Sequence, residues 1–237
     1  MNSDYPAFVY AMVPIERTSF KNFFDTGSIR RLLENPGQLR NAGWDLTTSG
    51  QARIVKGEYL EVKSAERKLL RLYEDGMFLV KVSAAEDFLS WGQSETNFKQ
   101  SPRLNPLAIV EVTLNFVNLC QQLVGHLSPV PATVDLKVEV RNAFFDKTKL
   151  YLTPYGILSE AAFAYNVERR YAPEQSMRRE IRVSTEDLKL WPAAIGYSLL
   201  EKIYTWFGFA PDKIPYVNSR NGVRFIDEEL VKNPRSQ

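Results

Sequence analysis

The sequence predicts an α+β protein: a mixed, mainly antiparallel sheet or sheets, a long central buried helix, and a second amphipathic helix toward the C-terminus. Three observations predict it. Strand-type runs outnumber helical ones, they do not alternate with helices as a doubly wound sheet requires, and Leu107 to Val124 is apolar around most of a helical circumference.

Taken in order, Ala7 to Ile15 is rich in β-branched and aromatic residues and is punctuated by Pro14, so it reads as a first strand ending at an edge or bulge. Asp25-Thr26-Gly27-Ser28 offers a cap to a short helix carrying Ile29, Leu32 and Leu33, which Asn35-Pro36-Gly37 stops. Arg53 to Val62 alternates only loosely. Lys68 to Tyr73 and Met77 to Val82 flank Glu74-Asp75-Gly76, where Asp-Gly supplies the positive φ of a hairpin turn. Trp91 to Pro106 is polar and aperiodic, a loop or the seam of a two-lobe split near residues 92–106 in what otherwise reads as one domain.

The long helix follows, with Leu107, Val110, Leu114, Val117 and Leu123 recurring at spacings of three and four. Pro129-Val130-Pro131 then forces an extended entry into Thr133 to Val140, whose Val134, Leu136, Val138 and Val140 alternate with charged residues as in a half-buried strand. Ala161 to Tyr171 is ambiguous between helix, which its alanines favour, and strand, which its aromatic and β-branched residues favour and toward which the reading leans. Met177 to Val183 reads as a further strand, spoiled on its inner face by Arg179. Trp191-Pro192 opens the second helix, with Ile195, Leu199, Leu200, Ile203, Trp206 and Phe207 on a face expected to dock on the sheet, and Gly208 near its end. Ile214 to Val217 and Val223 to Ile226 flank Asn221-Gly222, a second hairpin signal, and Asn233 to Gln237 reads as a frayed tail.

The chain has 237 residues, 44% hydrophobic and 24% charged, enough to build a core without metal or disulfide. Cys120 and His126 are its only cysteine and histidine, which excludes an internal disulfide framework, a structural zinc finger and a His-rich metal site. Six positions apart, they do not share a helical face and make no nucleophile pair. No phosphate-cradling glycine spacing, dinucleotide pattern or nucleophile elbow is present, and no cofactor is expected. A net charge of +2 speaks against a dedicated nucleic-acid binder, so any basic surface must be local. The first residues lack a signal pattern, and Leu107 to Gly125 is interrupted by Glu111 and four amides, so the expectation is a cytoplasmic chain that does not enter a membrane.

Two constellations carry candidate chemistry. Glu111, Asn115, Asn118 and Gln122 line one stripe of the long helix, either its wet face or a polar seam that binds a ligand or partner. Arg169, Arg170, Arg178, Arg179 and Arg182 would gather into a patch for phosphate or an acidic partner if their two segments pair across Ala172 to Ser176; Glu168, Glu174 and Glu180 dilute it, and cross-strand ion pairs explain the same residues. Glu86-Asp87 reads as a solvated turn rather than a cation site, and among the tryptophans, Trp44, Trp91, Trp191 and Trp206, one or two suit a partner anchor.

Four phrases, Leu39-Arg40-Asn41-Ala42-Gly43-Trp44-Asp45-Leu46, Leu72-Tyr73-Glu74-Asp75-Gly76, Arg179-Glu180-Ile181-Arg182-Val183, and Tyr204 to Gly208 followed by Ile214-Pro215-Tyr216, stand in this order. Together, over roughly Phe8 to Val217, they resemble the region that follows the Schlafen-type AlbA-like domain in bacterial proteins described as DNA-binding or ATP-binding. The resemblance implies a companion region and transfers no catalytic residue; Asp227-Glu228-Glu229 is acidic but stands in the wrong context. It implies a non-catalytic sensing or docking module whose partner is an AlbA-like domain in the same or another chain. Two other readings stand beside it, a nucleic-acid-binding module using the arginines and a hydrolase or transferase built on carboxylates around Glu111.

Overall fold

The computed structural model describes residues 6–24, 27–41, 43–48, 50–64, 67–84, 89, 103–145, 148–153 and 169–233. Its centre is a seven-stranded, wholly antiparallel sheet in the order β14-β9-β1-β6-β5-β4-β3, where β1 is Ala7–Pro14, β3 Arg53–Val55, β4 Tyr59–Ser64, β5 Lys68–Tyr73, β6 Phe78–Ser83, β9 Thr133–Arg141 and β14 Met177–Ser184. The register stacks apolar residues across the strands: Ile181, Leu136, Met12, Phe78, Leu72 and Leu60 form one row on the inner face. Arg179, Val138, Tyr10, Val80, Leu70 and Val62 form the next. Because side chains alternate along a strand, the intervening residues, many of them charged, face outward.

Shorter pieces complete the β structure. β2 (Ser19–Phe20) pairs with β8 (Leu127–Ser128), β10 (Phe144–Phe145) with β11 (Thr148–Lys149), and β12 (Tyr151–Leu152) with β7 (Arg103–Leu104) and β13 (Arg170–Tyr171). β15 (Val217–Arg220) and β16 (Val223–Ile226) make the C-terminal hairpin.

α2 (Pro106–Val124) crosses the inner face, and all but three of its residues are buried. Asn105 caps it by accepting from the Leu107 and Ala108 amides at 3.0 and 3.4 Å, with Pro106 where its missing N–H costs nothing. Phe116 packs on the sheet between Tyr10 and Phe78, ring centroids 5.2 and 6.1 Å away, and the Tyr10 hydroxyl lies 2.9 Å from Thr113 Oγ1. By length and composition α2 is apolar enough to cross a membrane, at a mean hydropathy of 1.4, a test that a core helix passes equally. α1 (Gly27–Glu34) buries Ile29 and Leu33 in the same core.

α4 (Pro192–Trp206) packs chiefly on α2 and the C-terminal hairpin and reaches the sheet at β14, so its docking surface is wider than the sheet alone. Gly196 lets the two helices approach: a Cβ there would stand 3.2 Å from Leu114 Cδ1. α4 ends in a Schellman motif, the Gly208 amide donating to Thr205 and that of Phe209 to Tyr204 at 2.9 and 3.0 Å, with Gly208 at φ +80° and the Tyr204 and Phe209 rings in contact. α3 (Thr185–Leu190) precedes it and α5 (Glu228–Lys232) closes the described chain. The buried apolar residues form one continuous cluster from Phe8 to Val231.

The Asp-Gly hairpin is β5–β6, with Gly76 at φ +86°. Pro14 ends β1 where β9 still pairs it and β6 no longer does, so its missing N–H lies on an unpaired side. Asn221 and Gly222 both have positive φ in a two-residue turn, which pulls the preceding strand to Val217–Arg220, three residues beyond the expected Ile214 start. The loosely alternating Arg53–Val62 stretch is a hairpin in its own right, turned by Lys56 and Gly57 at positive φ. The Asp25-Thr26 cap, Glu86-Asp87, Trp91 with most of the 92–106 seam, all of the Ala161–Tyr171 stretch before Arg169, and the tail beyond Asn233 lie outside the described residues.

Candidate functional site

The polar stripe of α2 is not a wet face. Glu111 is 1% exposed and Asn115 4%, Asn118 is half-buried, and only Gln122 is open to solvent. Glu111 Oε1 accepts from Arg40 Nε and Nη2 at 3.0 and 2.8 Å, and its Oε2 accepts the Trp44 amide at 2.9 Å. One turn along, Asn115 Nδ2 donates to the Trp44 carbonyl at 3.1 Å, and the Arg40 guanidinium lies 5.5 Å from the Trp44 ring centre. Together they hold the Arg40–Trp44 segment against the helix. Gly43 adjoins the pair closely: a Cβ would stand 2.5 Å from Glu111 Oε2 and 2.9 Å from Arg40 Cγ, so a larger residue would have to displace one of these side chains.

Burial pushes the Glu111 carboxyl above its ordinary range, against the pull of Arg40 and the Trp44 amide. The neighbouring acid, Asp45, is itself engaged by Lys68 Nζ at 3.2 Å and the Thr47 amide at 2.7 Å. A buried carboxyl with a raised pKa and a second acid nearby is what the hydrolase reading asks for. Here both oxygens of Glu111 already have partners within the fold, Arg40 on one and the Trp44 amide on the other.

The five arginines are not brought together. Their segments do not pair across Ala172 to Ser176, because Arg170 lies opposite Leu152 in β12 while β14 pairs with β9. Arg178 and Arg182 point to the outer face and Arg179 to the inner one, where its Nη1 turns back to the Arg178 carbonyl at 2.9 Å. Arg182 is bidentate to Asp135 at 2.9 and 3.2 Å, which holds that carboxyl below its ordinary range. Arg169 lies over the Tyr151 ring and Arg170 over the Phe209 ring, at 5.4 and 5.8 Å. An inward-pointing charge on an edge strand guards against pairing with another chain, a structural use for Arg179.

Among the described residues no three His, Cys, Asp or Glu side chains stand together as a metal would require. Cys120 is buried and its thiol is pushed well up by desolvation, the opposite of an activated nucleophile. Asp227, first of the acidic run near the tail, caps α5 by accepting from the Glu229 amide at 3.0 Å.

The sequence marks Trp191 as the opening of the second helix and as one of four tryptophans of which one or two suit a partner anchor, and it does not single out its neighbour Leu190. They stand 62% and 60% exposed at the junction of α3 and α4. Their backbone is fixed: the Trp191 amide donates to Asp187 at 2.8 Å, and Gln121 Nε2 of α2 donates to the Lys189 carbonyl at 2.6 Å. Ile15 and Val130 are also exposed, at the end of the sheet where α3 begins, since the Ile15 amide bonds Thr133 and the Thr185 amide bonds Ala132. The signal available beforehand was Leu-Trp-Pro, two large apolar residues just before the apolar face that Ile195, Leu199, Leu200 and Ile203 make on the second helix. Comparison with family models, with curated proteins and with solved structures finds no match to this chain.

Proposed function

We propose that this chain is a non-catalytic docking module whose partner contact centres on Leu190 and Trp191, and that the partner is an AlbA-like domain of a nucleic-acid-linked protein. One observation carries the contact: two consecutive large apolar side chains are exposed on backbone held by hydrogen bonds from both α2 and α3. Leaving most of a tryptophan in water forgoes about 3 kcal/mol of burial, at roughly 25 cal/mol per Å². A rigid, apolar, aromatic anchor loses little entropy on association and is the commonest kind of interface hot spot. The resemblance to the region following the AlbA-like domain supplies the partner. The commitment of Glu111 to an internal ion pair and the separate strand partners of the two arginine segments support this reading over the other two.

Isothermal titration of the full chain with a purified Schlafen-type AlbA-like domain tests this. Trp191→Ala and Leu190→Ser should each weaken association about tenfold or more, with the thermal midpoint unchanged. Association that neither substitution disturbs, or none in the unmodified chain, overturns the proposal.

A further inference from the structure

The sheet has an edge that none of these readings uses. β14 pairs with β9 on one side, and among the described residues no strand pairs its other side. Two amides fix the phase of the ladder: that of Ile15 bonds the Thr133 carbonyl, toward β1, and that of Thr185 bonds the Ala132 carbonyl, toward β14. Backbone groups alternate along an antiparallel strand, so Arg179, Ile181 and Val183 direct theirs at β9, and Arg178, Glu180, Arg182 and Ser184 direct theirs out of the sheet. The Arg178 carbonyl takes Arg179 Nη1 at 2.9 Å and Ser184 caps α3, which leaves Glu180 and Arg182 at the centre of the open edge. The apolar rows also run out here. Leu136 and Val134 are fully buried, while Ile181 and Val183 opposite them are half-buried and Arg179 is exposed, so the helix layer stops short of the edge. On the outer face Arg182 lies on Asp135 and Glu180 on Lys137, at 2.9 and 3.3 Å, and Arg178 stands opposite Glu139.

We propose that a second copy of this chain adds to this edge, antiparallel about a two-fold axis through Ile181, and joins two seven-stranded sheets into one. An axis normal to the sheet sets one residue opposite its own copy, and the charges of β14 discard most choices. Centred on Arg178, Arg179 or Arg182, it sets two guanidinium groups face to face; centred on Glu180, it sets two carboxylates together and Arg178 against Arg182. Met177 and Val183 stand too near the strand ends to centre a ladder. Centred on Ile181, it sets Glu180 against the copy's Arg182 on both sides of the axis. The row then reads Lys137, Glu180, Arg182, Asp135, and the alternation of sign continues from one chain into the other. Glu180 and Arg182 become hydrogen-bonded pairs through their open amides and carbonyls. Ile181 meets its copy, and Arg179 lies opposite Val183, its stem on apolar surface and its head in water. The inward arginine thus guards the edge against misregistered strands and admits this one. A foreign strand would have to reproduce the same order of charges, which a copy already carries.

The test is disulfide trapping of the full chain, whose one cysteine, Cys120, is buried. In this register position 181 forms a non-hydrogen-bonded pair with its copy, Cα atoms about 4.5 Å apart and within disulfide reach. Ile181→Cys should therefore give a covalent dimer under mild copper oxidation, whereas Arg179→Cys and Val183→Cys, at positions that oppose each other and not themselves, should not. By light scattering the unmodified chain should dimerise as its concentration rises. Glu180→Lys and Arg182→Glu should each weaken the dimer about tenfold by setting like charges across the axis, and an equimolar mixture of the two should restore it, because each substituted residue then faces its opposite. A chain that stays monomeric overturns the proposal. So does trapping through Arg179→Cys in place of Ile181→Cys, or a mixture that associates no more tightly than its parts. Trp191→Ala should leave the dimer intact, and a dimer that it abolishes would place the contact at the junction of α3 and α4 and overturn this one. Association with the AlbA-like domain should survive Glu180→Lys, so failure here and failure of the docking surface are separable.

Discussion

A carboxylate inside an otherwise apolar helix is tolerable only where its charge is matched, and Glu111 is matched by Arg40 and the Trp44 amide. Arg40→Ala, leaving that carboxylate buried without its cation, should therefore cost about 3 kcal/mol in urea denaturation, and a neutral result would mean that the Arg40–Trp44 segment is not held by the ion pair. Asp135 gives a pH test with a definite sign. Its hydrogen bonds from Arg182 hold its folded pKa below the unfolded one, so the stability it contributes is present above the ordinary carboxylate range and is lost as pH falls through the lower folded value. Followed by carboxyl-carbon NMR, Asp135 should titrate below an ordinary aspartate, and Arg182→Ala should return it to the ordinary range. Glu111 works in the other direction: folding holds its proton more tightly, so its contribution declines as pH rises through the raised value. The spacing of Glu111 and Asn115 on one stripe was legible in the sequence. Their partners were not, because helical spacing says which residues share a face and nothing about the loop, some seventy residues earlier, that meets it.

Among elements, the hairpin around Gly76 is limited by two independent constraints: φ is +86°, and a Cβ would stand 2.8 Å from Leu127 Cδ2 and 2.9 Å from Pro14 Cγ. Gly76→Ala should then cost more than the roughly 1 kcal/mol of positive φ alone, read as a lowered thermal midpoint, whereas Gly222→Ala, at φ +78° but with open space around it, should cost only the backbone part. Leu114→Ala should cost about 2 to 5 kcal/mol, because Leu114 is fully buried where α2 crosses Gly196 of α4; a neutral result would make α2 peripheral. Elements with a local cause were legible from sequence: the Asp-Gly and Asn-Gly turns, the alternation of Val134 to Val140, the apolar circumference of α2. The Lys56-Gly57 hairpin escaped because lysine at positive φ carries no turn signature, and the two-residue strands because so short a run has no period. The arginine patch failed for a related reason. Adjacent strands in sequence usually pair, yet β14 finds β9 and β13 finds β12, a choice made by the rest of the sheet.

At the scale of the molecule, the decisive feature is that one apolar cluster includes residues on both sides of the stretch 92–106 that the sequence marks as a seam. The sheet draws on both: β1, β3, β4, β5 and β6 precede it, and β9 and β14, which extend the same ladder beyond β1, follow it. Neither half could keep its ladder alone, since β1 would lose its β9 partner along its whole length and α2 would lose the Tyr10 and Phe78 rings against which Phe116 packs. Unfolding should accordingly be a single cooperative transition, with far-UV circular dichroism and tryptophan fluorescence coincident in urea. The fluorescence itself reports on both halves, since Trp44 sits at the Glu111 clamp and Trp206 at the end of α4, while circular dichroism follows the backbone of the whole chain. Leu60→Ala in β4 and Leu200→Ala in α4, both fully buried, should each remove about 2 to 5 kcal/mol and displace both probes together. Two separated transitions, with Leu60→Ala moving only the first and Leu200→Ala only the second, would instead mean that the chain divides at the seam and that the shared sheet is weaker than its continuous register implies.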